Sequence, residues 1–314
     1  MTESTQEVAG QMLEEVLAGL QKPQKTLPSK FFYDKRGSEL FEDITRAKEY
    51  YTTRTEQNIL EQNIEKIARA IGPESVIIEP GSGSSKKTRL LLDNLPDIAA
   101  YVPVEISQDY LSKVVGELRA EYPSLLVKPV CADYTMPFQL PNIDKSFDYY
   151  VVFYPGSTIG NFRPEGAQNF LKLLSDFMVP GGGLLIGVDL KKNTSTLEAA
   201  YNDSEEITAA FNKNMLVRLN RELGADFEVD QFAHHAFYNK GKGRIEMHLK
   251  SLRNQSVSVD GESFHFEKDE TIHTENSYKY SLSDFKALVG DWYDVKEVWT
   301  DENNLFSVQY LEKK

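Results

Sequence analysis

Gly81 and Gly83 stand in EPGSGSSKKT (79–88), between the apolar run SVIIE (75–79) and the helical pattern SKKTRLLLDNL (85–95). Glycines at that place permit a tight turn and let the backbone come close to a ligand. A dinucleotide fingerprint asks for a third glycine three places after Gly83, where Lys86 stands instead. Glu105 follows in the next apolar run, YVPVEIS (101–107), where a carboxylate can accept both hydroxyls of a ribose. Asp133 and Tyr134 end a third run, SLLVKPVCADY (124–134), where an adenine ring would lie and Asp133 can accept from its amino group. Singly, each carboxylate is equally well explained as a solvated strand end. Together they line the carboxyl edge of three consecutive strands, where open α/β sheets bind ligands. A nucleoside with ribose and adenine but no phosphate fits this set, and S-adenosylmethionine (SAM) is such a molecule.

A second chemical feature is FYPGSTIGNF (153–162), an elaborate turn after the apolar run at 149–152. Its glycines allow close approach to a small ligand. Asn161 offers donors and an acceptor in one uncharged group, suited to the amine or carboxylate of a zwitterion. Asn161 is also an ordinary turn former ahead of Pro164. The five histidines show no metal-ligand spacing, and the adjacent His234 and His235 point opposite ways in a strand. No metal is expected. Cys131 reads as a small core residue rather than a nucleophile.

The elements that must position these residues begin with a helix over 7–20 and a proline-bearing loop at 21–30. From about residue 75 strands alternate with helices: strands at 75–79, 101–107, 124–134, 147–154 and 181–190, a helix capped by Ser107, and another with Pro164 in its first turn. That alternation predicts a mostly parallel, doubly wound sheet. It then breaks. Helices are expected over 195–223, and antiparallel strands over 232–273 with NKGKG and DG as turns. A helix at SLSDFKALVG and a closing hairpin after it rejoin the first sheet. A parallel sheet finished by an antiparallel hairpin is the pattern of class I methyltransferases. The expected fold is therefore α/β, a class I (Rossmann-like) methyltransferase sheet with an inserted α+β substrate-binding domain. The domains are read as 54–192 plus 280–314 for SAM, and 1–53 plus 193–279 for substrate.

The whole sequence has 314 residues, 40% hydrophobic and 26% charged, with a formal net charge of −13. The charge argues against a nucleic-acid partner. No apolar run approaches the length of a membrane span. The single cysteine allows no internal disulfide, and the acidic start resembles neither a signal nor a transit peptide. These features favour the cytoplasm. Without a coiled-coil or apolar edge pattern, a monomer is expected.

LPSKFFYDKRGSELFEDITRAKEYYTTRTE (27–56), EPGSGSSKKTRLLLD (79–93), GSTIGNF (156–162), AYNDSEEITAAFNKNMLVRLNRELGADF (200–227), RIEMHL (244–249) and IHTENSYKYS (272–281) together resemble the ergothioneine-pathway histidine Nα-methyltransferases, the EgtD family. The resemblance spans nearly the whole chain. It implies three successive methyl transfers from SAM to the α-amino group of L-histidine, giving the betaine hercynine. It also implies site residues. Asn161, Gly156 and Tyr201 match residues at the amino and carboxylate end of the substrate. Tyr50, Met247, Glu275 and Ser277 match the pocket for the imidazole, and Tyr33 a tyrosine near methyl transfer. Gly81, Lys87, Glu105, Asp133 and Tyr134 match SAM contacts, although Glu105 and Pro80 depart from the aspartate and leucine common in the family. Read from its own surroundings, Glu275 is more readily a solvated charge in a polar strand, the usual place of a lone glutamate. Spacing adds that Glu275 and Ser277, if in one strand, share a face. Beside the resemblance, an Nα-methyltransferase for another amino acid or small amine, a nicotinamide oxidoreductase and a non-catalytic SAM-binding module remain as alternatives.

Overall fold

The computed structural model describes residues 3–82, 86–95 and 97–314; the side chains of 3–9 are not described. In chain order the elements are α1 (Glu3–Leu20), α2 (Lys35–Arg46), α3 (Tyr51–Ile71), β1 (Ser75–Pro80), α4 (Lys86–Asp93), β2 (Ala100–Glu105), α5 (Gln108–Glu121), β3 (Val130–Cys131), β4 (Tyr149–Tyr154), α6 (Pro164–Asp176), β5 (Gly183–Asp189), α7 (Thr194–Ala199), α8 (Ile207–Leu223), β6 (Phe232–Asn239), β7 (Arg244–Ser251), β8 (Gln255–Val259), β9 (Glu262–Phe266), β10 (Thr271–Tyr278), α9 (Leu282–Val289), β11 (Tyr293–Thr300) and β12 (Phe306–Lys313). The chain divides into two compact units, one of Met1–Tyr51 with Lys192–Tyr278 and one of Thr52–Lys191 with Lys279–Lys314. The switch points expected from sequence lie slightly later, after residues 53, 192 and 279.

The second unit holds a seven-stranded sheet in the order β11-β12-β5-β4-β1-β2-β3. β1, β2, β3, β4 and β5 run parallel, while β12 is antiparallel to both β5 and β11. The strand sequences explain the parallel part. Every residue of β1 and of β5 is buried, as strands covered on both faces must be. Local signals set the helices. Ser107 caps α5 by accepting from Tyr110 N, Pro164 opens α6, and Ser281 and Asp284 form a reciprocal capping box at α9. This is the expected class I arrangement.

One strand is far shorter than its sequence pattern. The run 124–134 forms only β3, with a single bridge from Val127 to Tyr101. Pro129 lies between these two pieces and has no N–H for a ladder, and β3 is the edge strand. Cys131, expected in the core, is therefore exposed. A residue on a two-residue edge strand has no further strand beside it to cover it.

The first unit packs α8 on an antiparallel sheet of order β10-β7-β6, beside the two-stranded β8-β9 hairpin. Asp260 and Gly261, both at positive φ, make the two-residue turn of that hairpin, as the DG signal predicts. Asp34 accepts from Gly37 N to cap α2, and its other partners, Asn214 and Arg221, lie on α8. Among the described residues no helix is long and apolar enough to cross a membrane.

A buried acid tunes the second unit. Glu79, at the end of β1, accepts from Tyr101 Oη at 2.6 Å and from the Thr88 hydroxyl at 2.9 Å. Burial raises its pKa to about 7 against the opposing pull of these hydrogen bonds. Its folded pKa lies above its usual 4.5, so the native state holds a proton that the unfolded chain releases. The stabilisation is complete below about pH 4.5 and is lost as pH rises through about 7. Urea denaturation of wild type and Glu79→Gln across this window checks it: the wild type should lose stability relative to the variant as pH rises, by roughly 1.4 kcal/mol per pH unit inside the window.

Candidate active site

In the second unit the glycine turn, β2 and the segment after β3 converge. Gly81 has φ +71, and a Cβ built there would lie 3.3 Å from the Tyr134 ring. Tyr134 in turn packs edge-on to Tyr154 and against Phe170. Burial, then the neighbouring charge of Glu105, raises the Tyr134 hydroxyl to about 12, so it is a neutral donor at any physiological pH. Glu105 closes β2, and its Oε1 accepts from Ile106 N at 2.9 Å. Burial pushes its pKa up. Asp133 spends Oδ1 on the backbone and hydroxyl of Thr135. Ser82 is buried, and its hydroxyl has no hydrogen-bond partner among the described residues. A glycine turn beside a strand that ends in a carboxylate fits a polar small molecule such as a nucleoside. Gly83 lies outside the described residues.

Lys87, expected as a SAM contact, forms an ion pair within the second unit. Its Nζ lies 2.5 Å from Glu56 Oε2 on α3, with both side chains nearly out of solvent. Glu56 also accepts from Gly156 N at 2.9 Å through both oxygens. This carboxylate, which sequence reasoning missed, therefore anchors the loop after β4 to the start of α4. Gly187 makes room for it: a Cβ there would fall 1.9 Å from Glu56 Oε1. No local pattern marks Glu56, because its partners are distant in sequence.

The anchored loop holds two residues in succession at positive φ, Gly156 at 83° and Ser157 at 57°. Ser157 is a non-glycine residue in a costly conformation. Its Oγ accepts from Asp189 N at 2.9 Å, which ties the turn to the end of β5. Asp189 is itself paired with Lys279 at 2.7 Å, both fully buried. From this seat a 3-10 turn, Thr158–Asn161, delivers a half-buried Asn161 at its last position.

In the first unit three of the four predicted imidazole residues, Met247, Glu275 and Ser277, share one sheet face. β10 pairs with β7 so that Glu275 is opposite Met247 and Ser277 opposite Ile245. Directly opposed residues project to the same side. The Tyr201 hydroxyl donates to Ser277 Oγ at 2.8 Å, and the Tyr50 ring meets Tyr201 edge-on at 6.3 Å. So Tyr50, Tyr201, Met247, Glu275 and Ser277 form one cluster. Tyr33, nearly half exposed, stacks edge-on to Phe41 and Phe211.

The i, i+2 spacing works only beyond a β-bulge. The register shifts between His273 and Glu275, leaving Thr274 as the extra residue. Without it, Glu275 would share the side of His273, which is opposite His248. That other face carries a buried charged layer. Arg244 donates twice to Glu246 Oε1, at 2.8 and 2.6 Å, and once to the Tyr278 hydroxyl. His248 Nε2 lies 3.2 Å from Glu246 Oε2, and its ring stacks on His273 at 4.6 Å and 12°. Burial works against the Glu246 charge, but the Arg244 bonds outweigh it and hold the carboxyl at about 2. Burial, then the nearby His273, lowers His248 to about 4. The donor atoms of Glu246, His248 and His273 lie within 4.8 Å of one another, a grouping invisible in their sequence spacing. An ion shared by both imidazoles would have to lie in both ring planes, which the stack does not allow without rotating a ring. Glu246 is already neutralised by Arg244. The group reads as a hydrogen-bonded layer.

Residues 12–313 match the family model described as histidine-specific methyltransferase, SAM-dependent. The chain belongs to this family. It is 39% identical over 305 residues to the histidine N-alpha-methyltransferase of Mycobacterium tuberculosis, covering 95% of this chain and 94% of that one. It is 42% identical over 249 residues to the protein of the same name from Mycolicibacterium smegmatis, covering 78% and 76%. To ergothioneine biosynthesis protein 1 of Schizosaccharomyces pombe it is 28% identical over 275 residues, covering 84% of this chain and 35% of that one. The family's co-substrate agrees with Lys86 standing where a dinucleotide fingerprint has its third glycine.

The Glu56 anchor makes a direct prediction. Glu56→Ala leaves a nearly buried ammonium and the Gly156 N–H without their carboxylate, and should cost about 3–5 kcal/mol in urea denaturation. Glu56→Gln keeps an oxygen for Gly156 and should cost less. An alanine variant with the wild-type midpoint would show that the anchor carries no stability.

Proposed function

We propose that this protein is a SAM-dependent methyltransferase that places three methyl groups, one at a time, on the α-amino group of L-histidine, giving hercynine for ergothioneine biosynthesis. The observation that carries the reading is the cluster on β10 and β7, in a chain of a histidine-specific family. An imidazole buried on that face has two nitrogens to satisfy. Glu275 accepts from its N–H, and Ser277, itself accepting from Tyr201, donates to the other nitrogen. Met247 and Tyr50 supply the apolar walls.

The second unit supplies SAM binding in this reading. Glu105 takes the ribose, Asp133 through its second oxygen and Tyr134 take the adenine, and Gly81 with the neighbouring Ser82 lines the turn. Lys87, paired with Glu56 at the start of α4, contacts SAM. SAM brings an electrophilic methyl on a sulfonium, so the leaving group is already good and the chain's task is positioning. The attacking amine must be neutral. Asn161 and Tyr33 orient it, with Gly156 setting the height of the Asn161 loop, and water carries the proton away. The first unit is then the substrate-binding domain and the second the SAM domain. A small amino acid is the only partner this scheme needs. Neither a metal, a nucleic acid nor a membrane enters it, and a cytoplasmic monomer suffices.

Mass spectrometry of L-histidine incubated with the enzyme and SAM should find the product with three added methyl groups. An amino-acid panel in which histidine gains none while another substrate is methylated would overturn the assignment. Glu275→Ala should weaken histidine binding by about 1–3 kcal/mol and narrow its advantage over phenylalanine and tryptophan. Isothermal titration with the three amino acids checks this, and unchanged discrimination would remove Glu275 from recognition.

A further inference from the structure

Asn212 lies in the middle of α8 and has no exposed surface. A buried asparagine in a helix interior is costly unless every polar atom is used. Here each is used. Nδ2 donates to Nδ1 of His234 at 2.9 Å and to the backbone oxygen of His248 at 3.0 Å, and Oδ1 accepts from the Thr274 hydroxyl at 2.8 Å. The carbonyl of His248 can only accept, so the amide nitrogen must face it. This orientation makes His234 Nδ1 an acceptor. The proton of the neutral ring therefore sits on Nε2, which donates to the backbone oxygen of Tyr201 at 2.8 Å.

The two ends of this chain of bonds are parts of the substrate cluster. Thr274 is the bulge residue that turns Glu275 onto the Met247 face. Tyr201 is the residue whose hydroxyl lies on Ser277. An aliphatic residue in place of Asn212 would fill the same buried volume without the desolvation cost. What it would lack is any hold on Thr274 or on His234.

We infer that Asn212, His234 and Thr274 are positioning residues for histidine recognition: the amide pins the bulge that aims Glu275, and through His234 it pins the backbone of Tyr201, whose hydroxyl meets Ser277. The inference rests on the reading that Glu275 and Ser277 receive the imidazole. None of the three residues need touch the substrate, so they differ from the recognition residues themselves. Loosening them alters the aim of groups that bind the imidazole and leaves SAM binding alone.

The test uses the full-length enzyme with Thr274→Val, which keeps the branched shape and strand preference but removes the hydroxyl, and with Thr274→Ser, which restores it. Histidine KM should rise about tenfold in the valine variant, the size expected for one misdirected hydrogen bond, with kcat changed less and SAM Kd within about twofold of wild type. The serine variant should return histidine KM to within about threefold of wild type. A valine variant with unaltered histidine KM, or one that loses SAM affinity equally, overturns the inference. Should the valine variant not hold its fold, His234→Asn and His234→Gln replace the pair. Asparagine keeps an acceptor for Asn212 but loses the donor to Tyr201, whereas glutamine can place an amide N–H where Nε2 stood. Asparagine should then show the selective rise in histidine KM and glutamine should relieve it; equal behaviour of the two overturns the inference. Wild-type enzyme that adds no methyl to histidine overturns the functional reading and this inference with it. Wild-type activity with an unaffected valine variant overturns this inference alone.

Discussion

A carboxylate taken out of water must have its charge and its lone pairs answered, and in the second unit Glu56 imposes that demand on everything around it. Lys87 answers the charge and Gly156 N answers the lone pairs. Gly187 answers the volume, since a side chain there would occupy the space of the carboxylate. The next residue, Ser157, lies in a left-handed conformation, held by the Asp189 N–H on its Oγ and by the Gly160 N–H on its carbonyl. Asn161 is reached through that seat and a single 3-10 turn. The position of the Asn161 amide thus traces back to one buried charge.

The first unit solves a different problem with the same economy. Its three-stranded sheet has two faces with opposite chemistry. One face carries Met247, Glu275 and Ser277, the other the Arg244–Glu246–His248 layer with stacked His273. A strict alternation along β10 would put Glu275 among the buried charges. One extra residue prevents this, and that residue is itself hydrogen-bonded into α8. The face of Met247, Glu275 and Ser277 is thereby kept apart from the buried charges by a single residue.

Much of the fold is legible in the residues alone. The strand–helix alternation, the caps at Ser107 and Ser281, Pro164 and the Asp260–Gly261 turn all depend on neighbours within a few residues. Local signals of that kind survive in a bare sequence. The length of the third strand does not, because an apolar run does not reveal that Pro129 interrupts its ladder or that, among the described residues, no strand lies beyond it. For the same reason Cys131 reads as core and is exposed. The ion pair of Lys87 is equally hidden, because its partner lies on a helix 31 residues earlier.

The sequence by itself determined the class of fold, the family and the residue types offered at each strand end, because these follow from periodicity and from contiguous motifs. Tertiary structure alone decided which of those residues act together. Glu56 and Gly156 are 100 residues apart, Asn212 and Thr274 62, and Tyr201 and Ser277 76. Hydrogen bonds require their atoms within about 3 Å. No spacing rule along a chain encodes that proximity; it exists only once strand register, a bulge and helix packing have brought the partners together.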